Sequence, residues 1–152
     1  MKELLEIGIK IGGVSLLLLC VVSFWIPGVL GWKEKLKVLS PLMREMWWTY
    51  ACYVLGSHLF FATLLLFFGD WLMSGTGPAI AMLSFMLLWW SVRLYLQFFG
   101  FDLVEVEPTP FNRFAKHMLS LLFICLVTLF GLLILWNSGW RLGAGWLEGG
   151  GG

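Results

Sequence analysis

Residues 11–32 read IGGVSLLLLCVVSFWIPGVLGW and contain no charged side chain. As an α-helix this run would reach about 33 Å, against roughly 30 Å of hydrocarbon in a bilayer. Three further stretches have a similar length and apolarity, namely residues 46–69, 77–101 and 118–136. The sequence therefore predicts four membrane-spanning helices.

The composition of the whole chain agrees with this interpretation. Hydrophobic residues make up 60% and charged residues 12% of the 152 residues, and the mean hydropathy is +0.88. Soluble domains carry about 25% charged residues, so a chain this apolar could not cover its surface in water. We expect an all-α integral membrane four-helix bundle, built as a single domain from residues 1–146. Residues 147–152 read LEGGGG and are interpreted as a tag or linker remnant.

Three proline-containing pairs predict where helices begin. Residues 40–41, 77–78 and 109–110 each place a capping or permissive residue before proline, which is favoured at the first helical position. The second helix should therefore start near residue 41 and the fourth near residue 110. Gly69 is the expected C-terminal stop of the second helix.

The basic residues predict the orientation in the membrane. With four spans, both termini lie on one side and the connections at residues 33–45 and 102–117 lie on the other. The side with the two connections carries six Lys or Arg residues, and the side with the termini carries three. The positive-inside rule then places both termini on the non-cytoplasmic side. Tryptophans near both boundaries are typical of an aromatic belt: Trp32, Trp47, Trp48, Trp71, Trp136 and Trp140.

His58 lies in the middle of the second span, where ionisable residues are rare and often functional. Counted by helical rise, Cys20, Ser84 and Thr128 fall at the same depth. A proton relay, a metal or heme ligand, or a substrate contact would use His58 in this position. The alternative is a neutral histidine hydrogen-bonded across helices. We favour this alternative because the spans hold no second His, Asp or Glu at that depth.

Arg93 and Gln97 share one face of the third span, and Ser84 lies nearly opposite. This two-sided polarity predicts that one face meets the chain's own bundle and the other meets a partner subunit or a cavity. Glu45 and Asp102 lie at depths from which either could pair with Arg93. One interpretation of Arg93 is a buried interhelical ion pair, and the other is a site for an anion or a lipid headgroup.

Two stripes of small and polar residues predict close helix packing in lipid. The first helix carries one that includes a G-x-x-x-G step, and the fourth carries another. The first stripe is Gly8, Gly12, Ser15 and Ser23, and the second is His117, Ser120, Thr128 and Gly131.

Three functional hypotheses follow. The leading one is a bundle that forms homo-oligomers in the lipid bilayer, with a channel or transport pathway as its extension. The second is a heme-binding or redox membrane subunit that uses His58 and His117. The third is a small lipid-modifying enzyme at the cytoplasmic face, where the candidate residues are Arg44, Glu45, Asp102 and His117, with Arg93 nearby.

Other classes lack their sequence signals. No nucleophile elbow or phosphate-binding glycine loop occurs, so no catalytic residue and no particular cofactor is predicted. Lys and Arg residues are few and the net charge is +1, which argues against nucleic acid as a partner. The cysteines Cys20, Cys52 and Cys125 are dispersed within apolar runs, and we interpret them as packing residues rather than disulfide or zinc ligands. No metal site is predicted.

Overall fold

The computed structural model describes residues 2–29, 31–100 and 110–139, and it describes only the backbone of residues 100 and 110–113. Helices and short turns account for nearly all of these residues, and no strand occurs among them. The helices are α1 (Lys2–Val29), α2 (Trp32–Lys35), a 3-10 turn (Leu36–Val38), α3 (Pro41–Phe67), α4 (Gly69–Leu72), α5 (Gly77–Tyr95) with a π-helical turn (Leu96–Gly100), and α6 (Pro110–Asn137).

Four of these helices are long and apolar enough to cross a membrane, which confirms the predicted number: α1, α3, α5 with its π-helical turn, and α6. In the most apolar 18-residue window of each helix, only 22–28% of the residues are buried. Many of the remaining apolar side chains are exposed. This distribution is the reverse of a soluble helix, which buries its apolar stripe and exposes polar residues.

The helix starts agree with the proline pattern in part. Helix α3 begins at Pro41 as predicted, and the hydroxyl of Ser40 accepts a hydrogen bond from the Met43 amide at 3.4 Å. Helix α6 begins at Pro110 as predicted, while Thr109 lies outside the described residues. The cap of α5 is Thr76 rather than Gly77, which is already helical.

The predicted end of the second helix was wrong. Helix α3 ends at Phe67, and Phe68 makes the turn with φ −120°. Gly69 then begins the short helix α4 instead of adopting the left-handed conformation of a glycine cap. Helix α1 also starts nine residues before the apolar run, at Lys2, because its charged first turns continue the same helix.

The described chain divides into two compact units. The first unit comprises residues 6–69, and the second comprises residues 70–139 together with residues 2–5. In the first unit, α1 and α3 are antiparallel. Gly69 lies against Ile9, and further along α1 Gly13 lies against Leu65 and Leu66. A methyl group on Gly13 would lie 2.7 Å from Cγ of Leu66, so the two helices approach closely there.

In the second unit, α5 and α6 form an antiparallel pair with large side chains between them. The rings of Trp90 and Phe123 lie 5.2 Å apart. At the other end, the side-chain amide of Asn137 donates to the carbonyl oxygen of Leu72 at 2.6 Å, which ties the end of α6 to α4. The buried residues of α5 repeat at intervals of four, three and four: Ala79, Leu83, Met86 and Trp90.

Candidate functional site

Arg93 lies in the last turn of α5 and packs against an aromatic ring of α6. Its guanidinium carbon is 5.8 Å from the centre of the Phe123 ring, and Trp90 contacts the same ring from one turn earlier. A guanidinium in this position is attracted by the negative face of the ring, typically by about 0.5–2 kcal/mol. The Arg93 side chain is half-buried. A contact with an aromatic ring does not use the hydrogen-bonding capacity of the guanidinium N–H groups, which suit oxygen acceptors.

The helix changes its geometry three residues after Arg93, at Leu96. Residues Leu96–Gly100 form a π-helical turn, a feature that is frequent at functional sites. Gln97 is half-buried in this turn. The prediction that Gln97 shares a face with Arg93 assumed α-helical geometry. In the structure Gln97 belongs to this π-helical turn, which is wider than an α-helical turn.

The predicted ion pair of Arg93 remains a prediction. Glu45 is exposed near the start of α3. Asp102 lies outside the described residues. The contact with Phe123 is the interaction that the structure gives Arg93 within the described part of the chain. Sequence reasoning missed it, although Phe123 belongs to the regular apolar spacing of α6.

His58 is almost fully buried in α3, at 1% exposure. His58 was predicted to lie at the same depth as Cys20. The structure agrees, because Cys20 lines a groove together with Leu55 and Leu59, which flank His58 in α3. Phe61 and Ala62, one turn further along α3, are buried as well. His58 therefore belongs to a densely packed part of α3, which fits a packing role at least as well as a ligand role.

A groove of about 300 Å³ opens between α1 and α3 at this level. Its lining is almost entirely apolar: Cys20, Val21, Phe24, Trp25, Leu55 and Leu59. The groove is wide open to the outside of the helix pair. In a bilayer it would face acyl chains, and it offers no set of polar groups that would orient a small substrate.

Several hydroxyl side chains on the long helices form hydrogen bonds with their own helices. Ser84 donates to the Ile80 carbonyl at 2.8 Å, and Thr63 donates to the Leu59 carbonyl at 2.9 Å. These bonds to the carbonyl four residues earlier satisfy the hydroxyl without a second helix. Ser84 and Thr128 are both exposed. Ser84 and Thr63 therefore need no polar partner in order to be stable in lipid.

The stripe predicted on α6 does not coincide with its buried side. Ser120 is buried, but His117 and Thr128 are exposed, and a methyl group on Gly131 would meet no atom within 4 Å. The buried row consists instead of Phe123, Leu126, Phe130 and Leu133 together with Ser120. On α1, the close approach occurs at Gly13, next to the predicted Gly12.

The residues predicted at the cytoplasmic face are not gathered into one site within either unit. Arg44 is half-buried and Glu45 exposed on the first turns of α3, in the first unit. His117 is exposed near the start of α6, in the second unit. Within the described ranges, no group of three or more His, Cys, Asp or Glu side chains is placed to hold a metal ion.

The connection between α1 and α3 combines aromatic and basic side chains. The ring of Trp32 lies 5.4 Å from that of Trp47 and 6.1 Å from that of Trp48. Lys37 forms an ion pair with Glu34 at 2.6 Å. Lys33 and Lys35 are exposed, and neither forms an ion pair with another described residue.

No protein family, curated protein or solved structure matches the chain. Its function must therefore be inferred from the chain's own residues.

Proposed function

We propose that this chain is an integral membrane protein whose four long helices cross the bilayer as a bundle. The observation that carries the proposal is the large amount of apolar surface left exposed along all four. On α1, for example, Leu4, Ile11 and Leu18 are exposed by 72%, 61% and 62%. Monomeric soluble proteins rarely leave contiguous apolar patches of this extent, whereas acyl chains would cover them favourably.

Both termini lie on the non-cytoplasmic side in this proposal, and the connection between α1 and α3 lies in the cytoplasm. Two single cysteines would test both the insertion and the orientation, once the three native cysteines have been replaced. Lys37→Cys should react with a membrane-impermeant maleimide from the cytoplasmic side only, and Ser74→Cys from the opposite side only. Extraction of the protein by alkaline carbonate, or labelling of both positions from one side, would contradict the proposal.

We further propose that copies of the chain associate in the membrane through the outer face of α5. The support is the division of polarity on this helix. Arg93 points to the side on which the chain's own α6 lies, since it packs on Phe123. Ala81 and Ser84 are exposed. Both are small, and small residues allow helix backbones to approach closely in lipid.

A transport pathway, if the protein provides one, would then run between copies. The groove of the first unit is apolar and open to the side, so it does not offer an ion or a polar solute a private route through one chain. An assembly could enclose such a path between its copies.

The association is tested by bulky substitutions on the proposed contact face. The double variant Ala81→Leu/Ser84→Leu should lower the association constant in vesicles by about fivefold or more, because overpacking costs about 1–3 kcal/mol. Photobleaching steps of a labelled protein count the copies. The matched control is Thr63→Leu, which replaces another exposed hydroxyl residue with the same type of backbone hydrogen bond. A wild-type chain that is monomeric in mild detergent and in nanodiscs would refute the association.

A further inference from the structure

The connection between α1 and α3 and the first turn of α3 have exposed apolar side chains. Val38 is 88% exposed, and Leu42 and Met43, at the start of α3, are 66% and 54% exposed. Leu36, two residues before Val38, is buried. A short segment of this kind is stable where its apolar side chains meet the outer acyl chains and its polar ones meet the headgroups.

Positive charge is concentrated in the same segment. Residues 33–45 contain four cations, Lys33, Lys35, Lys37 and Arg44, and two carboxylates, Glu34 and Glu45. Lys37 and Glu34 neutralise each other through their 2.6 Å contact. Within the described chain, no carboxylate forms an ion pair with Lys33, Lys35 or Arg44. Among the described residues, these three cations carry charge that no carboxylate neutralises.

The tryptophans beside this segment define the depth at which it lies. Trp32 contacts both Trp47 and Trp48, so three indole rings stand together where α1 leads into α3. Indole rings favour the level of the headgroups, where their apolar body and their N–H group are both accommodated. Cations held next to this level lie within reach of lipid phosphates.

We propose that the segment of residues 31–48 binds the headgroups of anionic phospholipids. The occupant is a lipid rather than free phosphate, because the exposed Val38 and Leu42 require acyl chains next to the cations. The inference rests on the membrane insertion proposed above, and it goes further by naming a lipid class as the partner. A basic side chain near an anionic surface contributes roughly fivefold in affinity, so the net excess of two positive charges predicts roughly 25-fold selectivity for an anionic lipid.

Native mass spectrometry of the detergent-solubilised protein measures this selectivity. The protein is mixed with equal amounts of phosphatidylglycerol and phosphatidylcholine, and the peaks with one bound lipid are compared. Lys33→Gln/Lys35→Gln should bring the ratio close to one. Glu34→Gln releases Lys37 from its ion pair and should raise the ratio about fivefold, a gain that damage to the fold would not produce. Millimolar inorganic phosphate should not compete with the lipid.

The matched control is Lys2→Gln/Lys10→Gln, which removes two lysines from α1 at the other end of the first span, and it should leave the ratio unchanged. A wild-type ratio near one, an equal loss in the control variant, or displacement by inorganic phosphate would overturn the inference. These outcomes are distinct from failure of the membrane proposal. A protein that inserts into vesicles but shows no headgroup preference refutes only the lipid site, whereas a protein extracted by carbonate refutes the insertion itself.

Discussion

The two helix pairs of this protein pack in opposite ways. Helices α1 and α3 touch where α1 has no side chain, at Gly13, and they diverge further along into an open apolar groove. Helices α5 and α6 are joined by bulky rings, with Trp90 and Phe123 at their centre. In the proposed membrane location, water cannot drive helices together, so both pairs depend on how well their side chains fit. The comparison shows that this contact is obtained either by removing a side chain or by interlocking large ones.

The largest effect is expected where the large side chains interlock. Phe123→Ala should lower the free energy of unfolding by about 3 kcal/mol, the lower end for a buried phenylalanine because lipid removes most of the transfer contribution. The change opens a cavity beside Trp90 and also removes the ring under Arg93. SDS titration in mixed micelles, followed by tryptophan fluorescence, measures the loss.

The control for this substitution is the next residue along the helix. Ile124 is exposed, so Ile124→Ala should change the free energy of unfolding by less than about 0.5 kcal/mol. Equal losses of unfolding free energy in the two variants would mean that the face of α6 with Phe123 is not buried. The packing of α5 against α6 described above would then be incorrect.

The close approach of α1 and α3 predicts a smaller effect with an unusual sign. Alanine normally stabilises a helix interior relative to glycine by about 1 kcal/mol. At Gly13 the added methyl group would meet Cγ and Cδ2 of Leu66 at 2.7 and 2.8 Å and Cβ of Leu65 at 3.2 Å, and neither Cγ nor Cβ is the free end of a side chain. Gly13→Ala should therefore destabilise the protein, by about 1–2 kcal/mol in SDS titration.

Gly56→Ala is the matched variant, because Gly56 lies within α3 and a methyl group there would meet no atom within 4 Å. It should leave stability unchanged or raise it slightly, so the two variants should differ by about 2 kcal/mol. If Gly13→Ala is as stable as Gly56→Ala, the helices do not meet at Gly13.

The architecture could be predicted from the sequence because the apolar runs that indicate it extend over many residues. Four apolar runs and a few proline pairs were sufficient for the number of long helices and for the starts at Pro41 and Pro110. The contacts within each pair were harder to predict. Small-residue stripes show where helices can pack, but several faces of one helix can satisfy the pattern. On α6 the large residues around Phe123 are buried instead, and Gly131 is open.

The candidate site was only partly predictable, for a physical reason. A polar residue in an apolar run stands out, so His58, Arg93 and Gln97 could be identified from the sequence alone. Their partners could not, because an arginine can be satisfied by an aromatic ring as well as by a carboxylate. Phe123 is one of 13 phenylalanines in this chain, and nothing in its local sequence distinguishes it as a cation partner.

A side-chain hydrogen bond joins the end of α6 to α4, and its loss should have a moderate effect on stability. The amide of Asn137 donates to the Leu72 carbonyl at 2.6 Å. Asn137→Leu keeps the branched shape of the side chain but removes the donor, and it should lower the free energy of unfolding by about 1 kcal/mol. SDS titration measures the change, and faster hydrogen exchange of the amides in α4 and the following turn should accompany it.

The comparison for Asn137 is Ser138, whose hydroxyl bonds to the Ile134 carbonyl of its own helix. Ser138→Ala should leave both stability and exchange unchanged. If Asn137→Leu behaves in the same way, α4 is not held by the end of α6.

The smallest effect is expected for a hydroxyl that neither helix pair uses. Ser84 is exposed on α5 and donates to the Ile80 carbonyl, so Ser84→Ala removes a bond within one helix and no contact between helices. The free energy of unfolding of the monomer in detergent should change by less than about 0.5 kcal/mol. Alanine is as small as serine, so the variant should also keep the proposed association between copies, whereas leucine should disrupt it. A monomer strongly destabilised by Ser84→Ala would show that this face of α5 is packed within the chain, and the outer face could then not serve as a contact between copies.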